Sequence, residues 1–235
     1  MVEARSKTVT SFAEKLQREG KSYKDPFNEI TDFAGLRIIL YYVDDVQRTC
    51  EVIDREFKID EPRSVDKRSV LAADQFGYLS VHKIVTLSEA RANLPEWAGL
   101  SDLVAEIQIR PVLQHSWAAI SHALQYKREA DVPYEFRRKL MMLSGLLELA
   151  DEEFASLRKQ QVWLRKDIAE KVAVGNLNIA INFLSLQEFI RKSNLTKEYE
   201  QIATELGFLV EDDDMRGVSQ VIQLCQLLGW ILSSD

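Results

Sequence analysis

From Leu103 to Arg110 the chain reads Leu-Val-Ala-Glu-Ile-Gln-Ile-Arg. A period of two sends Glu106, Gln108 and Arg110 to one face of a strand, and Ala105, Ile107 and Ile109 to the other. One face is core; the other offers a carboxylate, an amide and a guanidinium. Two more stretches share this character: Asp32 stands just ahead of a strand holding Arg37, and Tyr78, Ser80 and His82 share one strand face. Carboxylates from two separate strands, Asp32 and Glu106, suit a magnesium-dependent phosphoryl-type transfer. Hard oxygen ligands hold the ion while it neutralises charge developing on a nucleotide's phosphates. Arg5, Lys7, Lys15 and Arg37 supply cations that cradle phosphates or stack on a base. Taken singly, each group has an ordinary reading as an exposed sheet face, a solvated helix face, a loop end or an edge aromatic. No glycine-rich phosphate loop occurs, so cradling by a loop and helix end is not supported. His115 and His122 lie seven apart on one helix face with no third metal ligand evident, and a Ser80, His82 and Asp triad lacks a nucleophile-elbow context.

These groups need elements to position them. Val9, Phe12 and Leu16 repeat at helical spacing before Gly20, predicting a first helix that carries Lys7, Lys15 and Arg18, with Ser11 on the face of Lys7 and Lys15. Residues 36–43 are β-branched and aromatic and read as a buried strand, followed by a helix from Asp44 to about Phe57. A strand is expected within residues 58–65, a polar loop over 66–77, and a strand over 78–86. Pro111 opens a helix running through Trp117 and His122 to about Arg128. Beyond Pro133 a long helical stretch spans 134–172, and after Gly175 three shorter helices are expected at 179–192, 196–206 and 217–232. Strands occupy the first half and helices the second. This predicts an α/β (α+β) protein with a catalytic-type domain over 1–130, a long helical stretch over 131–174 packing on it, and a helical C-terminal extension over 175–235.

Of the 235 residues, 46% are hydrophobic and 29% charged, which excludes disorder and fibrous repeats. No stretch reaches about 20 mostly apolar positions, so no membrane-spanning helix is expected. The charged start, Met1 to Lys7, does not resemble a signal peptide, and the expected location is the cytoplasm. Cys50 and Cys225 sit in apolar helical patterns, as reduced core thiols do. The net charge of −7 is concentrated after Asn194, leaving the body near neutral, without a broad nucleic-acid surface. Val218, Ile222, Cys225 and Leu232 form an apolar face suited to a partner or to a homo-oligomer contact.

Four motifs stand in order: Arg5-x-Lys7-x-x-x-Ser11-x-x-x-Lys15, Asp32-Phe-Ala-Gly-Leu-Arg37, Gly77-Tyr-Leu-Ser-Val-His82, and Glu106-Ile-Gln-Ile-Arg110 followed by Trp117, His122 and Tyr126-Lys127. Together they resemble the RelA/SpoT nucleotidyltransferase domain of small alarmone synthetases, over roughly residues 3 to 130. The resemblance implies a mixed, about five-stranded nucleotidyltransferase sheet flanked by helices. It also implies transfer of pyrophosphate from ATP to the 3′-hydroxyl of GDP or GTP, with Mg2+. By that likeness Asp32 and Glu106 hold magnesium, and Glu106 helps deprotonate the acceptor. Arg5 and Arg37 flank adenine, while Lys7, Ser11 and Lys15 face the ATP phosphates. Tyr78 stacks on the acceptor base, and His82, Gln108, Arg110 and His115 lie on the acceptor side. The chain departs from the pattern at Leu79, where synthetases commonly have a basic residue, and at His115, where several have an amide. Two other readings stay open: a toxin-like relative acting on the 3′ end of tRNA, with an antitoxin partner, and a catalytically degenerate nucleotide sensor. The chain has three histidines, none followed by Asp, so the family's hydrolase activity is not expected.

Overall fold

Six strands form one sheet in a computed structural model that describes residues 1–17, 22–69, 77, 79–124, 133–176, 178–192, 201–202, 204–207 and 222–223. They are β1 (Val2–Ser6), β2 (Ala34–Leu40), β3 (Phe57–Ile59), β4 (Val65–Asp66), β5 (Val81–Leu87) and β6 (Ala105–Pro111). The order is β1-β2-β6-β5-β3, with β4 also beside β5, and only the β2–β6 pair is parallel. β3 and β4 occupy successive stretches of one edge of β5, so the sheet is five strands wide. The single strand expected within 58–65 is thus two short ones, divided by a 3₁₀ turn at Glu61–Arg63. Pro62 explains the division, since it fixes φ and removes a ladder donor.

α3 (Asp44–Glu56) covers one face of the sheet. Val46, Cys50 and Ile53, spaced four and three apart, bury against Val81, Val85, Ile107 and Ile109. Asp44 and Asp45 occupy the first turn, where negative charge complements the helix dipole. Toward the other face stands α5 (Val112–Leu124), which starts just after β6 ends at Pro111. α6 (Tyr134–Ala173) joins α5 through Trp117, whose Nε1 donates to the Leu140 carbonyl at 3.1 Å. Gly175, at φ 72°, follows the end of α6.

The start of the chain differs from expectation. β1 pairs antiparallel with β2, and α1 (Val9–Leu16) begins only after the N-cap Thr8. Lys7 therefore lies between strand and helix, and the helical face shared by Lys7, Ser11 and Lys15 does not form. The cause is local: Thr8 caps the helix by accepting from Ser11 N, while residues 2–6 extend along the sheet edge. Arg18, Gly20, Tyr78, Tyr126, Lys127, Val218, Cys225 and Leu232 lie outside the described residues.

The chain divides into two units, Met1–Ala155 and Ser156–Asp235. The first contains the sheet. In the second, α7 (Phe183–Lys192) buries Glu188, which pairs with Arg191 at 2.6 Å and Arg165 at 3.6 Å. No helix among the described residues is long and apolar enough to cross a membrane.

Candidate active site

Strand register assembles the polar face. Arg5 stands opposite Gly35, and Gly35 opposite Glu106. Two residues along, Glu3, Arg37, Gln108 and His82 are successive cross-strand partners. The alternation read from residues 103–110 holds: Ile107 and Ile109 enter the α3 core, leaving Glu106, Gln108 and Arg110 on the opposite face. Arg37 Nη1 lies 3.6 Å from Glu3, and its buried Nε has no hydrogen-bond partner among the described residues.

Asp32 occupies the short lead-in between buried Ile30 and β2. Its two oxygens take one lysine each, Lys7 Nζ at 2.7 Å on Oδ2 and Lys15 Nζ at 2.8 Å on Oδ1. Burial pushes the Asp32 carboxyl up, but the hydrogen bonds and charges of Lys15 and Lys7 outweigh it and hold it below its ordinary value. Phe12, Phe27 and Phe33 brace α1 and the short α2 (Pro26–Glu29) against this lead-in, with ring centroids 5.3 to 6.1 Å apart. Sequence reasoning missed this trio, whose members lie on three separate segments. Ser11 stays at the helix start, accepting from Thr8 Oγ1 at 3.0 Å.

Glu106 is engaged on both oxygens. His82 Nδ1 lies 2.7 Å from Oε1, and Gln108 Nε2 donates to Oε2 at 3.0 Å. Burial pushes this carboxyl up; the His82 and Gln108 contacts overcome both that and the Asp32 charge, so Glu106 titrates below its ordinary value. The far nitrogen of His82 lies 2.8 Å from Ser80 Oγ. The resulting Ser80–His82–Glu106 chain has triad-like contacts, yet Ser80 is 1% exposed and cannot reach a substrate as a nucleophile.

Arg110 and His115 meet on the same face. Arg110 Nη2 lies 2.8 Å from His115 Nδ1. Burial, with the charges of Arg110 and Arg37 against that of Glu3, keeps the imidazole below its ordinary pKa, so it is neutral and accepts the bond. Lys67 is a further cation here: burial lowers its pKa, Glu106 opposes that effect and Arg110 adds to it. Arg68 is instead bound to Asp66, and Lys83 to Asp54 on α3. Gln114, also missed in the sequence, is buried on α5 with Oε1 accepting from Leu79 N. A buried glutamine within an apolar helix gives no periodic signal.

No group of three or more His, Cys, Asp or Glu that could hold a metal occurs among the described residues. The paired ionised carboxylates, Asp32 and Glu106, fit a different ion. Magnesium binds through one or two carboxylates and completes its shell with phosphate oxygens and water.

A β2–β6-centred sheet with this polar face defines a nucleotidyltransferase-type domain. The model of the region found in RelA / SpoT proteins matches residues 4–131. The chain is 33% identical over 161 residues to the GTP pyrophosphokinase YjbM of Bacillus subtilis, covering 67% of this chain and 71% of the relative. A GTP pyrophosphokinase family protein from Streptococcus pneumoniae superposes with a TM-score of 0.55 at 30% identity, over 68% of this chain and 75% of that one. The small alarmone synthetase 1 of Bacillus subtilis bound to its product pppGpp does so with a TM-score of 0.56 at 29% identity, over 68% and 78%. The chain belongs to the RelA/SpoT family.

Proposed function

We propose that this protein is an ATP:nucleotide 3′-pyrophosphotransferase that converts GDP or GTP into the corresponding alarmone with Mg2+. The observation that carries this reading is the pair of ionised carboxylates, Asp32 in the lead-in to β2 and Glu106 on β6, beside a row of cations. The similarity to YjbM and to a synthetase solved with pppGpp supports the guanosine acceptor. The acceptor's 3′ oxygen attacks the β-phosphorus of ATP, the bond from that phosphorus to the α,β-bridging oxygen breaks, and AMP leaves. Asp32 and Glu106 hold magnesium, which when bound neutralises charge on the transferring group. Glu106 takes the 3′-hydroxyl proton, and His82 fixes the orientation of its carboxylate. Lys7 and Lys15 turn from Asp32 to the ATP phosphates with Ser11 beside them, while Arg5 and Arg37 flank the adenine. Tyr78 stacks on the acceptor base, and Gln108, Arg110 and His115 line the acceptor side. Lys67 supplies the cation that Leu79 does not, since of Lys67, Arg68 and Lys83 it is the one that feels the Glu106 charge, while Arg68 is bound to Asp66 and Lys83 to Asp54.

The test is incubation of the purified protein with magnesium and ATP labelled at the γ-phosphate, offering GDP, GTP and uncharged tRNA separately. Label on GDP or GTP with matching AMP release is expected, and Glu106→Gln lowers the rate by about 10²–10⁴-fold. Label on tRNA alone would make the protein a toxin-like relative. Bound ATP with no transfer would make it a nucleotide sensor.

A further inference from the structure

Behind the acceptor side lies a buried polar pair that none of the roles above uses. Gln114 on α5 is 1% exposed, and its Oε1 accepts from the Leu79 amide at 3.2 Å. Leu79 precedes β5, so its amide depends on this side chain. Asp151 on α6 is 4% exposed and faces the Gln114 amide. Gln114 Nε2 and Asp151 Oδ1 are each buried without a hydrogen-bond partner among the described residues. A primary amide has one accepting and one donating end. For Oε1 to serve Leu79, Nε2 must point away, and an ionised Asp151 favours that orientation. A protonated Asp151 can instead donate to Oε1 and compete with Leu79. The neighbouring residue, His115, engages Arg110, so one turn of α5 holds two parts of the acceptor side.

We propose that Gln114, oriented from behind by Asp151, is a positioning residue for the acceptor nucleotide, fixing the backbone at Leu79 next to the acceptor-base residue Tyr78. This rests on the pyrophosphotransferase reading. It also makes acceptor affinity sensitive to the protonation of Asp151, whose carboxyl burial pushes up to about 6. The groups acting on that carboxyl are the Gln114 amide from α5, which lowers it, and Glu148 one turn earlier on α6, which raises it.

The full chain, Gln114→Met and Asp151→Asn are compared at pH 7.5 and pH 5.5 for the KM of GTP, the KM of ATP and the Kd of labelled GTP by equilibrium dialysis. Gln114→Met keeps the volume and loses the amide; it is expected to raise GTP KM and Kd about tenfold with ATP KM within about twofold. Asp151→Asn keeps an acceptor oxygen facing the Gln114 amide but cannot titrate. It is expected to match the wild type at pH 7.5 and to remove the part of the acid-side rise in GTP KM that belongs to Asp151. An unchanged GTP Kd in Gln114→Met, equal loss toward ATP and GTP, or the wild-type pH dependence in Asp151→Asn would overturn the inference. GTP binding without transfer by the wild type would overturn the reading of function and leave the Kd comparison to decide this one. Absence of GTP binding by the wild type would overturn both.

Discussion

His82 Nδ1 lies 2.7 Å from Glu106 Oε1, and its other nitrogen lies 2.8 Å from Ser80 Oγ. In the neutral imidazole this places the Nδ1 proton on the Glu106 side, with Nε2 accepting from the serine. Because burial would raise the Glu106 carboxyl, the contact with His82 is a main reason that it titrates low. A lowered carboxylate pKa means Glu106 stays ionised to a more acid pH than an ordinary glutamate. Removing the imidazole reverses this, so His82→Ala should move the acid limb of kcat/KM toward neutral. The pH–rate profiles of wild type and variant check this. An unmoved limb would show that the group titrating there is not Glu106.

Asp32→Asn poses a sharper contrast between binding and turnover. The wild-type carboxylate occupies both Lys7 and Lys15. Asparagine removes the carboxylate proposed to hold magnesium and releases Lys7 and Lys15 from their ion pairs. Turnover should fall by at least about a hundredfold while ATP binding without magnesium holds or tightens. Calorimetric titration with ATP in the presence of chelator, beside AMP release with magnesium, separates the two. Parallel loss of both would mean that Asp32 merely folds the lead-in to β2.

What the sequence revealed depended on periodicity. The alternation at Glu106, Gln108 and Arg110 was legible because β6 lies inside the sheet, with Ile107 and Ile109 fixing which face is core. The helix at Asp44–Glu56 was legible from its acidic start and the apolar helical pattern around Cys50. β1 was not legible: Val2-Glu-Ala-Arg-Ser6 is a largely exposed edge strand with no apolar face of its own. Missing it placed Lys7 on a helix. Gln114 and Asp151 were hidden for another reason, since each is one polar residue in a helix and only tertiary structure brings them together.

Gly35 tests the register directly. It is flanked by Arg5 and Glu106, and a Cβ there would lie 3.3 Å from Arg5 Nε and 3.4 Å from Arg5 Cγ. The obstacle is a flexible side chain, so alanine needs only a small shift of Arg5, whereas valine displaces it. With Arg5 in the adenine-flanking role proposed above, Gly35→Val should raise the KM of ATP about tenfold with little change in that of the acceptor. Gly35→Ala should stay within about threefold. Steady-state kinetics varying each substrate in turn measure both. A rise confined to the acceptor would place Arg5 on the wrong nucleotide.

Asp151 also predicts a dependence of stability on pH. Burial pushes its native carboxyl up to about 6 from an ordinary 3.8, so between those values the folded chain binds more protons than the unfolded one. Stability from this residue is therefore greatest in acid and declines as pH rises through the window, leaving a cost of about 1–3 kcal/mol above it. Asp151→Asn removes the charge at nearly constant volume. Urea unfolding should find the variant more stable than the wild type by about that amount at pH 8, with the gap narrowing toward pH 4. A constant gap would mean that the buried charge is not its source. A stabilised variant whose GTP affinity no longer varies with Asp151 protonation would show the carboxylate retained for positioning at the expense of stability.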